Sequence, residues 1–165
     1  MIILGVDPGL QRTGYAILRA EPLACEARRY GVIETHSKQP FGVRLKIIYD
    51  QLCQFLTAEA VDVLALEDIF YAQNIKVALK MGHVRGIALL AAANHRLPTA
   101  EYSAREIKQA VTGNGNASKF QVQRMICQLL QLSSCPESFD ATDAMAVAYC
   151  HYQRMRSAGA TRIQD

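Results

Sequence analysis

The feature that most constrains the fold is a short apolar strand that ends in a charge. In the segment "LGVDPGLQRTGYAI", residues 4–17, Asp7 closes an apolar run and is followed at once by Pro8 and Gly9. An unpaired charge in a protein core costs several kcal/mol or is lost by protonation. Asp7 therefore has a structural partner or faces a ligand that requires an anion, unless it only serves the turn that Pro8 and Gly9 begin.

Apolar spacing along the rest of the chain predicts a mixed α/β fold. Alternation predicts an antiparallel three-strand meander over residues 1–7, 13–20 and 27–35. The continuous apolar run at residues 61–67 is typical of a central strand, and a short strand is expected at 97–103. Apolar spacing and capping pairs predict flanking helices over residues 45–55, 74–94, 103–113, from 118 onwards and 140–154.

The chain is expected to form one domain over residues 1–157, with a flexible C-terminal tail over 158–165, since no linker or repeat divides its 165 residues. Its net charge of +3 is compatible with nucleic-acid binding without establishing it. The five cysteines form no C-x-x-C pair, which favours free thiols. We find no signal peptide and no apolar run long enough to span a membrane, so we expect a cytoplasmic protein with no membrane partner.

Four carboxylates can meet at one edge of the expected sheet. Asp7 and Glu67 end two strands, and Asp140 and Asp143 lie three apart on one helix face. Like charges about 4 Å apart repel by about 4 kcal/mol at an effective dielectric of about 20, and divalent cations relieve this repulsion. Carboxylate oxygens suit Mg²⁺ or Mn²⁺, and two such ions about 3.5–4 Å apart can promote phosphodiester hydrolysis.

Structural roles remain open for the same residues. Asp140 could cap its helix, Asp143 could favour the positive helix end, and Glu67 could simply end its strand in solvent. Three other acids could replace a member of the set: Asp62, Asp68 and Glu137. Spacing alone therefore leaves the metal site as one interpretation among several.

Five stretches, in order along the chain, resemble the RuvC-type Holliday-junction resolvases, a family of crossover junction endodeoxyribonucleases. They are "LGVDPGLQRTGYAI", "LALEDIFYAQN", "LKMGHVRGIALLAAAN", "EYSAREIKQAVTGNGNASKFQV" and "DATDAMAVAYCH". The resemblance covers nearly the whole chain and implies a ribonuclease-H-like fold. It implies Mg²⁺ as cofactor, two ions per site, with Mn²⁺ as a substitute. The catalytic metal ligands that it implies are Asp7, Glu67, Asp140 and Asp143.

By the same resemblance, the protein is expected to resolve Holliday junctions in homologous recombination and DNA repair, hydrolysing one phosphodiester in each of two opposed strands. The implied partners are four-way junction DNA, a second copy of the chain, and the branch-migration proteins RuvA and RuvB. The first stretch also resembles the phosphate loop of actin-like ATPases and sugar kinases, but those proteins need a second domain that 165 residues cannot supply. A junction-binding protein without catalysis is another alternative, and the presence of all four acids argues against it.

Basic residues near these stretches are expected to bind DNA. Lys108 and Lys119 flank the loop "GNGN", whose glycines let phosphate approach the backbone, and both match basic positions of the family. Lys76 shares a helix face with Lys80 and His83, a face that could equally be merely solvated.

Aromatic residues complete the expected DNA surface. Phe70 follows the strand of Glu67 and matches an aromatic position that reaches the junction in the family, although it could also be an ordinary core residue. Stacking of a base on such a ring is worth about 1–3 kcal/mol. The expected DNA-binding set is Phe70, Tyr71, Lys76, Lys108 and Lys119.

Gly82 and Gly86 lie four apart in the long helix and let another helix approach closely. That helix could be internal or could belong to a second copy, and the resemblance implies a homodimer through this region. A twofold dimer offers two equivalent sites for the two strands to be cut.

Overall fold

Five strands form one mixed sheet in the structure, a computed structural model that describes residues 1–68 and 75–161, with side chains through residue 157. The strands are β1 (Ile2–Asp7), β2 (Arg12–Ala20), β3 (Cys25–Glu34), β4 (Val63–Asp68) and β5 (Thr99–Ser103). Their order is β3-β2-β1-β4-β5. The first three strands pair antiparallel, whereas β4 pairs parallel with both β1 and β5. The predicted meander with added parallel strands is therefore confirmed.

Helices cover both faces of this sheet. Those in the described part of the chain are α1 (Phe41–Ala58), α2 (Ile75–Asn94), α3 (Ala104–Thr112), α4 (Lys119–Leu129) and α5 (Phe139–Thr161). Because strand side chains alternate, Leu4 and Val6 pack on the face of α1 and α2, whereas Ile3 packs on the face of α3, α4 and α5. None of these helices is long and apolar enough to cross a membrane.

The last helix, α5, lies directly on the first two strands. A side chain at Gly5 would collide with the backbone oxygen of Ala144, and one at Gly14 with the backbone oxygen of Asp140. Gly14 is also the antiparallel partner of Asp7. Two missing side chains therefore let α5 reach the carboxyl end of β1.

Two capping boxes fix the starts of α3 and α4, as their sequences predict. Ser103 and Glu106 satisfy each other's backbone N–H groups at the start of α3. Ser118 and Gln121 do the same at the start of α4. Lys119 is consequently the first residue of α4.

Both ends of α1 and the end of α5 differ from the prediction. Apolar spacing predicts a helix over residues 45–55, but α1 spans Phe41–Ala58 and begins directly after Pro40, whose carbonyl accepts the N–H of Arg44 at 3.2 Å. α5 continues to Thr161, past the expected end near Arg154. The boundary between the domain and a flexible tail stays a prediction.

Two of the five cysteines are bonded, so the prediction of free thiols is wrong for them. Cys127 in α4 forms a disulfide with Cys135, their Cα atoms lying 5.6 Å apart. The chain after α4 turns back along the helix, and the amide of Gln123 donates to the carbonyl of Pro136 at 3.1 Å. Cys25, Cys53 and Cys150 are free.

Candidate active site

Two neighbouring strand ends place carboxylates in one cavity. β1 and β4 are parallel, so Asp7 and Glu67 emerge at the same edge of the sheet. Asp143 reaches the same edge from α5. The cavity that these three acids line, here called the acidic cavity, measures about 530 Å³, and Lys108 and Lys119 line it as well.

The acids of this cavity are under electrostatic strain. The pKa of Asp7 rises from its ordinary 3.8 to about 7, chiefly because the carboxyl is buried and then because Glu67 and Asp143 are negative. Burial, followed by the charge of Asp143, also raises the pKa of Glu67. Lys119 opposes both shifts without cancelling them. The cavity therefore favours an added positive charge.

Lys119 is the cation in direct contact with this set. Its Nζ donates to Oδ2 of Asp143 at 3.0 Å. Burial alone would lower the pKa of Lys119, but the bond to Asp143 and the nearby charges of Asp7 and Glu67 outweigh it and raise that pKa. Lys119 therefore stays protonated and neutralises part of the acidic set.

Asp140, the fourth predicted acid, is held by a different cation. Its Oδ2 accepts from Nε of Arg12 at 2.7 Å and from the Ser138 hydroxyl at 3.1 Å. Arg12 also pairs with Glu34. Asp140 does not line the acidic cavity, but it is near enough for its charge to raise the pKa of Asp7. Sequence reasoning missed Arg12 because its partner lies 128 positions away.

The donor set fits a divalent cation by its chemistry, because carboxylate oxygens are what Mg²⁺ prefers. Within the described residues, however, no three ligating side chains are already placed to hold an ion. In this arrangement Asp143 pairs with Lys119 and Asp140 pairs with Arg12, so two of the four carboxylates contact cations of the protein. The four-ligand metal site therefore stays a prediction.

Two of the alternative acids have structural roles instead. The carboxylate of Asp62 accepts the backbone N–H of Ile2 at 2.7 Å, at the start of β1. Asp68 lines the acidic cavity but lies 3.6 Å from Arg85, which also pairs with Glu101. Asp68 thus helps to tie the end of β4 to α2 and β5.

The expected DNA-binding residues fall in different places. Lys108 and Lys119 line the acidic cavity, while Lys76 is exposed near the start of α2. Phe70 and Tyr71 lie outside the described residues. The sequence interpretation overlooked Arg105, which also lines the acidic cavity and which the capping pattern around Ser103 gave no reason to select.

The outer face of α2 is apolar and unusually open. Ile75 and Leu79 have 76% and 60% of their surface exposed. An added Cβ at Gly82 or Gly86 would meet no atom within 4 Å. Internal packing against another described helix therefore does not explain these two glycines.

A mixed sheet in this order, with acids at the ends of β1 and β4 and on a last helix packed across β1 and β2, defines the ribonuclease-H-like class of folds. Residues 3–151 match the family described as RuvC, crossover junction endodeoxyribonuclease. The protein therefore belongs to the RuvC family, as its sequence predicts.

Individual relatives agree with this assignment. The RuvC of Alkaliphilus oremlandii is 44% identical over 92% of this chain and 92% of its own. The RuvC of Tolumonas auensis is 47% identical over 91% of this chain and 86% of its own. The structure of T. thermophilus RuvC in complex with Holliday junction substrate has a TM-score of 0.90 and 27% identity, covering 96% of each chain.

Proposed function

We propose that the protein is a structure-selective endodeoxyribonuclease that resolves Holliday junctions by metal-dependent hydrolysis of one phosphodiester in each of two opposed strands. The observation that carries the proposal is the convergence of Asp7, Glu67 and Asp143 in the acidic cavity of a RuvC family member. That T. thermophilus RuvC was solved with a Holliday junction supports the choice of substrate.

Mg²⁺ is the proposed cofactor, two ions per site, and Mn²⁺ is expected to substitute. Asp7, Glu67 and Asp143 would hold it, joined by Asp140 once that side chain leaves Arg12. Bound there, the metal would supply positive charge to the scissile phosphate and its leaving oxygen. The raised pKa of Asp7 supports this assignment, because the cavity lacks the positive charge that a cation would bring.

The protein's own groups bind and orient rather than attack. Lys108 and protonated Lys119 are expected to hold phosphate oxygens of the strand to be cut. Ser103, a hydroxyl that lines the cavity, is engaged in its helix cap, where it donates to Glu106 at 2.8 Å. The proposed nucleophile is therefore water rather than a side chain.

A homodimer through the outer face of α2 is part of the proposal. The open apolar surface around Gly82 and Gly86 supports a second copy as the occupant, since twofold symmetry would give each of two strands its own site. RuvA and RuvB are the proposed protein partners, and the cytosol is the proposed location.

Cleavage of a synthetic four-way junction tests the proposal. Purified protein should cut two opposed strands when Mg²⁺ is present, leave the junction intact in a chelator, and leave linear duplex of the same sequence intact. Asp7→Asn is the matched control and should bind the junction without cutting it. Binding without cleavage by wild-type protein would favour the non-catalytic alternative, and equal cleavage of duplex would contradict structure selectivity.

A further inference from the structure

The acidic cavity has a cation that no acid neutralises. Arg105, the second residue of α3, lines the cavity and is exposed to solvent. Its side chain makes no ion pair or hydrogen bond within the described residues. The neighbouring acid Glu106 is engaged elsewhere, by Arg154 and by the cap of Ser103.

This free charge matters because the cavity repels phosphate. Asp7, Glu67 and Asp143 carry negative charge towards any DNA backbone that enters. Lys119 compensates only part of it, since one N–H of its ammonium already donates to Asp143. Further attraction for a phosphate comes from lining cations that pair with no acid among the described residues, and Arg105 is placed three residues before Lys108, on the same face of α3.

The stem of Arg105 lies against the loop that follows α3. A Cβ added at Gly115 would lie 2.7 Å from Cγ of Arg105 and 3.3 Å from its Nε. Gly115 is itself held, because its N–H donates to Oε1 of Gln109 at 3.0 Å and the amide of Gln109 donates to the Gly113 carbonyl at 2.8 Å. The loop thus lies against the arginine, and a side chain at Gly115 would force that arginine to shift.

We propose that Arg105 is a phosphate-binding residue, whose guanidinium holds a backbone phosphate of the DNA at the rim of the acidic cavity, and that Gly115 is the residue that positions it. A planar guanidinium can donate two parallel hydrogen bonds to one phosphate, which an ammonium cannot. The inference rests on the proposed function, because it takes DNA as the ligand.

Salt-dependent binding tests the assignment. Affinity for a fluorescent four-way junction, measured in a chelator at several salt concentrations, should fall on the order of tenfold for Arg105→Gln. The slope of log affinity against log salt should shrink by about 0.9, the value for one lost phosphate contact. Arg28→Gln is the matched control, an exposed arginine of β3 that does not line the cavity, and should match wild type.

Gly115→Ala tests the positioning role. Like Arg105→Gln, it should lower the affinity for the junction. The double variant with Arg105→Gln should bind no more weakly than Arg105→Gln alone. Additive losses would overturn the role of Gly115. If Arg105→Gln fails to fold, Arg105→Lys replaces it in the test. Arg105→Lys should keep the salt slope, because it keeps the positive charge, but it should bind the junction less tightly.

The outcomes separate this inference from the proposed function. Wild-type protein that binds no junction would contradict both. Wild-type protein that binds and cuts, with Arg105→Gln folded and its salt slope unchanged, would overturn the role of Arg105 alone.

Discussion

At Asp7, burying a carboxyl beside other acids weakens the fold that carries it. The pKa of Asp7 is about 7 in the folded protein, against an ordinary value of 3.8. Between these values the native state keeps a proton that the unfolded chain has lost. Stability therefore falls as the pH rises through this window.

Asp7→Asn should consequently stabilise the protein when divalent cations are absent. At about pH 8 the free energy of unfolding should rise by about 2–4 kcal/mol, and the gain should vanish below about pH 4, where Asp7 is protonated in both states. Urea unfolding across this range measures the difference. Asp50→Asn, at an exposed position of α1, should show no such gain, and an Asp7→Asn variant that is less stable at about pH 8 would contradict the argument.

Lys119→Gln should move the pH profile of cleavage to higher pH. Loss of the ammonium removes the charge that lowers the pKa of Asp7 and Glu67, so both would ionise later. The rate at neutral pH should fall by about 10²–10³. Single-turnover cleavage from about pH 6 to 9 measures the profile, and Lys119→Arg should keep it in place. An unshifted pH profile for Lys119→Gln would contradict the role of Lys119 in lowering the pKa of these two acids.

Phe70 lies outside the described residues. Its predicted role as a DNA wedge, a ring on which a base of the junction stacks, therefore stays a prediction. Phe70→Ala should slow cleavage and leave the melting temperature nearly unchanged, with Phe70→Tyr closer to wild type. A core phenylalanine would instead cost about 3–5 kcal/mol when truncated. Thermal melting and cleavage rates distinguish the two, and a sharp loss of melting temperature with normal cleavage would exclude the wedge.

At the scale of elements, α2 combines an inner face that completes the core with an outer face that has no partner in the described chain. Val84, Ala88 and Ala92 are fully buried against the sheet. Leu79 and Leu90 are more than half exposed on the other side. One helix thus carries a buried inner face and an open apolar outer face.

In the proposed homodimer, Gly82→Leu with Gly86→Leu would block the close approach of the second copy. The double variant should therefore be a folded monomer. Both new side chains would enter open space in the single chain, and glycine is a poorer helix residue than leucine by roughly 1 kcal/mol, so the subunit should not unfold. Light scattering gives the mass and thermal melting the stability. Gly42→Leu in α1, also in open space, should remain dimeric. A destabilised dimer would show that the glycines serve internal packing.

Local patterns were enough to predict most elements, because alternation and capping act over a few residues. The boxes at Ser103 and Ser118 and the apolar run into Glu67 belong to this class. The position of α5 was not predictable in this way. It depends on the absence of side chains at Gly5 and Gly14, which face a helix far along the chain. The partner of Asp140 was missed for the same reason.

At the scale of the whole molecule, the modest net charge of +3 conceals a strong local separation. Negative charge gathers at the strand ends, while Lys108 and Arg105 border it on α3. Negative and positive side chains thus lie side by side, which suits a ligand whose phosphates enter together with cations. A twofold dimer would present this arrangement twice.

Mixed dimers should reveal whether two such sites act on one junction. A dimer with one wild-type and one Asp7→Asn subunit should nick a single strand, because in the proposed dimer each site would cut only the strand that it holds. On a supercoiled plasmid with a cruciform, the product should be nicked circles, whereas wild-type dimers should give linear DNA. Linear product from purified mixed dimers would mean that one site cuts both strands.

The placement of α5 across β1 and β2 also determines when a chain that is being synthesised can assemble the acidic cavity. Asp143 lies in α5, which is synthesised after all five strands of the sheet, including the one that ends in Asp7. Long-range contacts of this kind form late in folding. A chain translated only through the five strands therefore lacks Asp143 and cannot yet assemble the acidic cavity.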